Sequence, residues 1–286
     1  MTASPVNKPL VSIAMPFYNA ERTIAASIRS ILLQSHANWE LLLCDDGSTD
    51  SSRELARSFQ DPRIVVWGDQ RRLQLGARLN ECIEHARGDY VARMDADDIA
   101  YPQRLAKQLH FLLDHPQVDL TGGWAVLFAD AGQPVGKRAD PGAHGEIARW
   151  PLYSFKLIHP TFMGKTSWFR RYLYRADAIR CEDHDLLCRA CASSRFANLP
   201  EIVLGYRQGS INLRKALHSR WMWCRCAGSY LNRAGRLRVG AVEAVKSCRD
   251  ILAVAARADA AWLRARYQAL SDDELREWRQ VWNSVS

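Results

Sequence analysis

Two stretches decide the fold of this chain: Glu40–Asp50, ELLLCDDGSTD, and Tyr90–Asp98, YVARMDADD. In each, a short apolar run reads as a buried strand and ends in clustered carboxylates. Open α/β sheets place their ligand crevices at the strand ends, so the two acidic groups are expected at one cleft. Carboxylates crowded together need a cation, and Mg²⁺ or Mn²⁺ takes oxygen ligands of this kind alongside phosphate oxygens.

Outward from these stretches the same unit repeats. VSIAM (11–15) precedes a helical pattern over Glu21–Gln34, with Ile24, Ile28, Ile31 and Leu32 on one face. ELLLC precedes a helix over Asp50–Phe59, RIVVW (63–67) one over Leu75–Ala86, and YVARM one over Pro102–His115. Strand-helix alternation implies crossover connections, hence a largely parallel sheet with helices on both faces. The alternation breaks down after VDLTGGWAVLFAD (118–130), and Gly132–Gly145 reads as a Gly/Pro-rich loop.

The 286 residues, 48% hydrophobic and 24% charged, suit one substantial α/β domain with an appendage. MTASPVNKPL at the start lacks the basic-then-apolar pattern of an export signal, and no stretch approaches the roughly 18 apolar residues of a membrane span. A cytoplasmic protein with eight reduced, buried cysteines is therefore expected. The net charge of +8 is concentrated in residues 205–286, which hold 15 Lys/Arg and 7 Asp/Glu. Between Glu201 and Glu243 there is no acidic residue. A boundary near residue 205 follows, with a domain over 1–205 and a basic helical region over 206–286.

Further motifs fall in a fixed order along the first part. Met15-Pro16-Phe17-Tyr18-Asn19-Ala20-Glu21 follows the first strand and Asp45-Asp46-Gly47-Ser48 the second. Gly76-Ala77-Arg78-Leu79-Asn80 precedes Gly88-Asp89-Tyr90; then come Asp95-Ala96-Asp97-Asp98, His159-Pro160-Thr161, Glu182-Asp183-His184-Asp185 and Tyr206-Arg207. The series resembles the family 2 glycosyltransferases over about residues 10 to 210. That resemblance implies a GT-A fold and an inverting, metal-dependent transfer from a nucleotide-sugar, a UDP-sugar in particular. The expected acceptor is a glycan or lipid-linked saccharide in polysaccharide biosynthesis. It implies that Asp46 meets the base, Asp95 the ribose and Asp97 the Mn²⁺ or Mg²⁺ on the diphosphate. Pro16, Tyr18, Asn19, Glu21, Arg78, Ala96, His159 and Arg207 are the other candidate donor contacts. Asp183 is the candidate base for the acceptor hydroxyl, with Glu182 in reserve. His184 stands where the family carries an aromatic residue, and Gln208-Gly209 replaces a histidine after Arg207.

Each motif also has a plainer explanation. Asp46-Gly47-Ser48 builds a turn and helix cap by itself, and Glu182-Asp183-His184-Asp185 is a good first turn for the helix carrying Leu186, Leu187 and Ala190. Cys181, Cys188 and Cys191 beside His184 invite a zinc site, but a lone Cys-x-x-Cys has no second pair at zinc spacing. A sugar nucleotidyltransferase of similar fold would want a Gly-rich, Arg- and Lys-bearing loop after the first strand, which is absent here. A non-catalytic nucleotide- or membrane-binding module is disfavoured by the intact Asp97 and Asp183. Nucleic acid is not an expected partner, since no recognised motif accompanies the basic tail.

In the tail, Leu213, Leu217, Trp221, Cys224, Gly228 and Leu231 mark one helical face, with Arg214, Lys215 and Arg225 off it. Ser271-Asp272-Asp273-Glu274 is a capping box before a helix with Leu275, Trp278, Val281 and Trp282. Two readings stand for the basic helices: a foot on an anionic membrane, or a cap packed on the first domain.

Overall fold

The parallel half of the sheet is built from apolar runs whose alternate residues feed two cores. The computed structural model describes residues 9–208, 212–256 and 267–286. Strands β1 (Val11–Ala14), β2 (Trp39–Cys44), β3 (Ile64–Trp67) and β4 (Tyr90–Arg93) lie in the order β3-β2-β1-β4, all parallel. Helices α1 (Ile24–Leu32), α2 (Ser52–Arg57) and α3 (Leu75–His85) connect them. Ile13, Leu41 and Leu43 pack with Ile24, Ile28 and Ile31 of α1, while Ala14, Leu42 and Cys44 pack with Leu79 and Ile83 of α3. Side chains alternate across a strand, so a continuous apolar run covers both faces at once.

Beyond β4 the sheet becomes mixed, although most paired residues remain in parallel ladders. After the short strand β5 (Ile99–Ala100) and helix α4 (Arg104–Asp114) come β6 (Leu120–Phe128), β7 (Pro134–Arg138), α5 (His144–Ile147), β8 (Met163–Lys165), α6 (Thr166–Arg171), α7 (Glu182–Ala190) and β9 (Phe196–Arg207). β8 is antiparallel to β4 and β6, β9 is parallel to β6, and β5 closes the far edge antiparallel to β9. Ile99 pairs with Gly205, so the residues after Asp98 are stapled to the strand that ends in Tyr206 and Arg207.

One expectation is corrected. The loop expected over Gly132–Gly145 contains β7, paired antiparallel with Ala125–Phe128, and the start of α5. Gly132 (φ 75°) supplies the turn between β6 and β7. Pro134 sits at the first residue of an edge strand, where a missing N–H costs no ladder bond.

Three helices follow: α8 (Leu213–Ala227), α9 (Arg233–Ala255) and α10 (Asp272–Val285). Asn212 and Asn232 cap the first two, and Ser271 with Glu274 forms the expected capping box. α10 buries Trp278, Val281 and Val285 against Ile99, Tyr101, Val126, Phe128 and Ile202. α8 packs through Met222, Trp223, Cys226 and Ala227 onto Ala178 and Cys181. The stripe read from the sequence is only partly the packed face: Cys224 and Leu231 join this cluster, whereas Leu217 and Trp221 are exposed, and Trp223 next to them is the anchor. Four cysteines are buried, but Cys248 is exposed on α9.

Candidate active site

The acidic residues after β4 form the centre of the site. One carboxylate oxygen from each of Asp95, Asp97 and Asp98 lies within 4.8 Å of the others. Asp95 is clamped by both Nη atoms of the buried Arg93, each at 2.7 Å. Asp98 accepts the Arg207 N–H at 2.9 Å on Oδ1, while its buried Oδ2 has no partner. Burial, then the charges of Asp97 and Asp95, push the Asp98 carboxyl well up. Asp97 is exposed, yet desolvation by the cleft walls and the Asp95 charge push it up to about 6. An orphaned buried oxygen within a set of hard oxygen donors that resist ionisation together fits a divalent cation.

These residues open onto a cleft of about 870 Å³, large enough for a nucleotide-sized ligand. Pro16, Tyr18, Asn19, Glu21, Asp95, Ala96, Asp97 and Arg207 all line it. Asn19, at φ 47°, accepts the Thr49 N–H at 2.9 Å, and Glu21 accepts the Ser51 N–H at 3.1 Å, tying the two strand-end loops together. Arg207 bonds the Asp97 carbonyl at 2.9 Å and reaches Asp130 at 3.2 Å. The remainder of the expected lid, Gly209 and Ser210, lies outside the described residues.

Beyond Pro16–Tyr18 a narrower cavity of about 230 Å³ holds Asp46, Arg72, Arg180 and Glu182. Asp46 is buried, and its carboxylate accepts from the Leu73 and Gln74 N–H groups, Arg72 and Arg78. Asp45 accepts the Ser48 N–H at 2.9 Å and holds the turn. Arg72 also covers the Tyr18 ring at 3.1 Å. Arg78 stands apart from the expected donor contacts: it reaches none of the three cavities, because its guanidinium is spent on Asp46, Asp69, Glu81 and the Arg71 carbonyl. It braces Asp46 from behind.

A third cavity, of about 650 Å³, contains His159, Arg180, Asp183, His184 and Tyr206, with Arg220, Trp223, Glu243 and Lys246 of α8 and α9 as its outer wall. Consecutive residues of a helix diverge by about 100°, so Glu182 faces the narrow cavity while Asp183 faces this one. The Glu182 Oε2 is buried without a partner, and burial, then Asp183, push its carboxyl up to about 7. His159 bonds the Tyr174 hydroxyl at 2.9 Å, and burial with Arg93 nearby lowers its pKa well below the usual range. His184 stacks on Trp223 at 3.8 Å and takes the place of an aromatic ring. Cys181 points its sulfur at Cys226 and Cys188 at the Pro151 carbonyl, so these thiols act as packing groups.

Residues that motif reading missed include Arg93, Arg72, Tyr174, Arg180 and Trp282, the last lining the main cleft from α10. Arg93 carried a signal, a charge inside an apolar strand two residues before Asp95 and therefore on its face. Arg180 carried none, although its φ of 64° is one of four positive values at non-glycine residues among the described residues, and Asn19 and Gln74 are two of the others. Such backbone strain concentrates where ligands are held.

A mixed α/β sheet with its acidic cluster at the ends of the parallel strands defines a GT-A-like enzyme architecture. The sequence profile of glycosyl transferase family 2 matches residues 12–176, and the chain belongs to that family and is a glycosyltransferase. EpsE of Bacillus subtilis (strain 168) is 38% identical over 211 residues, covering 71% of this chain and 74% of that protein. The UDP-Glc:alpha-D-GlcNAc-diphosphoundecaprenol beta-1,3-glucosyltransferase WfgD of Escherichia coli is 41% identical over 119 residues, 41% of this chain and 47% of that one. Among solved structures, the mannosyltransferase PcManGT of Pyrobaculum calidifontis, in complex with GDP-Man and Mn²⁺, shares the fold with TM-score 0.59 and 18% identity, over 99% of this chain and 86% of that one.

Proposed function

We propose that this glycosyltransferase takes a nucleotide-sugar, a UDP-sugar in the first instance, and inverts its anomeric centre while transferring the sugar to a glycan or lipid-linked saccharide of a polysaccharide pathway. The observation that carries the reading is the carboxylate set Asp95, Asp97 and Asp98 at the mouth of a nucleotide-sized cleft. The UDP-glucose donor and lipid-diphosphate acceptor in the name of WfgD support the substrate classes, and the Mn²⁺ of PcManGT supports a divalent ion. Residues 1–205 would form the transferase domain and 206–286 a helical region completing its outer wall, at the cytoplasmic face of a membrane.

In this reading Tyr18, Asn19 and Asp46 receive the base and Asp95 the ribose, with Pro16, Glu21 and Ala96 lining the cleft. Asp97, with Asp95 beside it, would hold Mn²⁺ or Mg²⁺, which supplies charge neutralisation for the diphosphate when bound. Arg207 closes the mouth of the cleft. Arg78 acts through Asp46, and His159 through Tyr174 and the packing behind Arg93. The acceptor enters the third cavity. Its hydroxyl oxygen attacks the anomeric carbon, its proton passes to Asp183, and the broken C–O bond leaves its electrons on the departing diphosphate. Glu182 is a second reading for the base, favoured by its pKa of about 7 and its partnerless oxygen.

A panel of UDP- and GDP-sugars incubated with the purified chain and Mn²⁺ tests the reading. Release of nucleoside diphosphate from one donor, abolished by EDTA, is expected; turnover indifferent to EDTA refutes the metal-dependent chemistry.

A further inference from the structure

Helix α9 is built inside out. At about 100° per residue, Leu237, Ala241, Val245, Cys248, Ile251 and Leu252 fall in one stripe about 120° wide, and all six are exposed. Leu237, Val245 and Leu252 are 68%, 69% and 67% accessible. The opposite side buries two carboxylates, Glu243 and Asp250, only 6% and 5% accessible, beside no apolar residue larger than Val239 and Ala253. Lys246 holds Glu243 at 2.5 Å, and Arg220 of α8 bonds Asp250 and approaches Glu243 at 3.6 Å. A helix that ends its association with its own domain does the reverse, burying its apolar stripe and wetting its charges. A contiguous apolar face of this kind marks an interaction surface.

We propose that the outer face of α9, with its basic rim, docks on an anionic lipid surface. Arg233, Arg236 and Arg238 flank the start of the stripe, are exposed, and make no ion pair among the described residues. The segment between Glu201 and Glu243 contributes no acidic residue to this rim. A second copy packed antiparallel would lay these arginines over the apolar Ile251 and Leu252 end of its partner, where the helix shows no exposed acidic residue among the described residues. Anionic headgroups complement the rim while the acyl boundary takes the leucine and valine side chains. Helix α8 adds exposed Leu217 and Trp221, with the Arg225 guanidinium 4.9 Å over the Trp221 ring, the amphipathic chemistry that suits a headgroup layer.

Docking also orients the site, a consequence that rests on the assignment of the Asp183 cavity to the acceptor, whereas vesicle binding does not. The inner faces of the same helices, through Arg220, Trp223, Glu243 and Lys246, wall that cavity. It would therefore open about one helix diameter, ~10 Å, from the headgroups.

The test is co-sedimentation of the full chain with phosphatidylcholine vesicles, with and without about a third of phosphatidylglycerol. Binding to the anionic vesicles alone, reversed by salt near ~0.5 M, is expected. Replacing Leu237, Val245 and Leu252 together with Gln should abolish binding without lowering the melting temperature, since all three are already in water. Arg233→Gln with Arg236→Gln and Arg238→Gln should weaken binding about 10²-fold. Donor hydrolysis in solution should match wild type in both variants, so a failed donor reading and a failed docking proposal remain distinguishable. Wild-type protein that stays in the supernatant with anionic vesicles at low salt overturns the proposal, as does vesicle binding unchanged in the Gln variants. A dimer that the Leu237/Val245/Leu252 variant dissolves, with no vesicle binding, assigns the face to a second copy and overturns it equally.

Discussion

Removing the indole of Trp278 tests whether α10 is a working part of the transferase domain. Trp278 is fully buried, lies against Tyr101, Phe128 and Trp282, and donates its Nε1–H to the Gly132 carbonyl at 2.7 Å. It fits so closely over Gly205 that a Cβ built there would come within 2.3 Å of the ring. Trp278→Ala deletes a buried aromatic side chain, for which about 3–5 kcal/mol is the usual cost. Trp278→Phe keeps most of the contact but strands the Gly132 carbonyl, at about 1–2 kcal/mol. At roughly 2 °C per kcal/mol, the alanine variant should melt about 6–10 °C lower. Function should follow stability, because Gly205 leads directly into Arg207 and Trp282 lines the main cleft. Thermal melting and donor KM measured on both variants check this. An alanine variant that loses less than about 1 kcal/mol and keeps its donor affinity would refute the packing argument.

Asp97→Asn should remove most activity, since a neutral amide binds a hard cation far less well than a carboxylate, and isothermal titration with Mn²⁺ should show the lost affinity directly. Asp183→Asn should lower kcat about 10²-fold or more with donor binding nearly intact; an equal loss of donor affinity would make Asp183 a binding residue instead. If Glu182 is the base, the acid limb of the kcat/KM profile falls near pH 7 and disappears in Glu182→Gln, whereas an unchanged limb excludes it. The same raised carboxyl bears on stability: folding retains a proton that the unfolded chain loses above its ordinary 4.5, so apo-protein stability should fall as pH rises from about 4.5 to 7. Glu182→Gln should flatten that window in a denaturant titration series.

The βα units were legible because each rests on local information. Four strands and four helices appear within a few residues of the apolar runs and periodicities that announce them, and the two acidic clusters emerge at neighbouring strand ends. What was not legible depends on partners distant in sequence. β7 contains Pro134 and Gly136 and becomes a strand only because β6 offers an edge. Trp223 anchors α8 because His184 and the Leu152 carbonyl meet it. In α9, Glu243 and Asp250 are drawn inward by Arg220, which turns the apolar residues outward, and periodicity alone reports a stripe without saying which way it faces. Arg78 shows the opposite failure: its place in the motif suggested a ligand contact, while four protein acceptors already claim its donors.

The distribution of arginines explains how the fold tolerates so acidic a centre without closing it to a cation. Arg93 neutralises Asp95 from within the sheet, and Arg104 sits behind it, donating to the Arg93 and Pro160 carbonyls. Burial, and secondarily the repulsion of Arg93, lowers the Arg104 pKa to about 9, so its charge is a cost that the neighbouring Asp98 offsets. Arg207 could have paired with the Asp97 carboxylate and thereby competed with any metal ion. Instead its Nε bonds the backbone carbonyl of Asp97, and its Nη1 turns to Asp130. The positive charge holds the acidic loop in place through its main chain, while the Asp97 carboxylate keeps its oxygens free of side-chain donors among the described residues. A binding residue that is braced without being occupied is pre-organised for its ligand, and a cation there would offset the burial and like-charge repulsion that raise the Asp97 and Asp98 carboxyls.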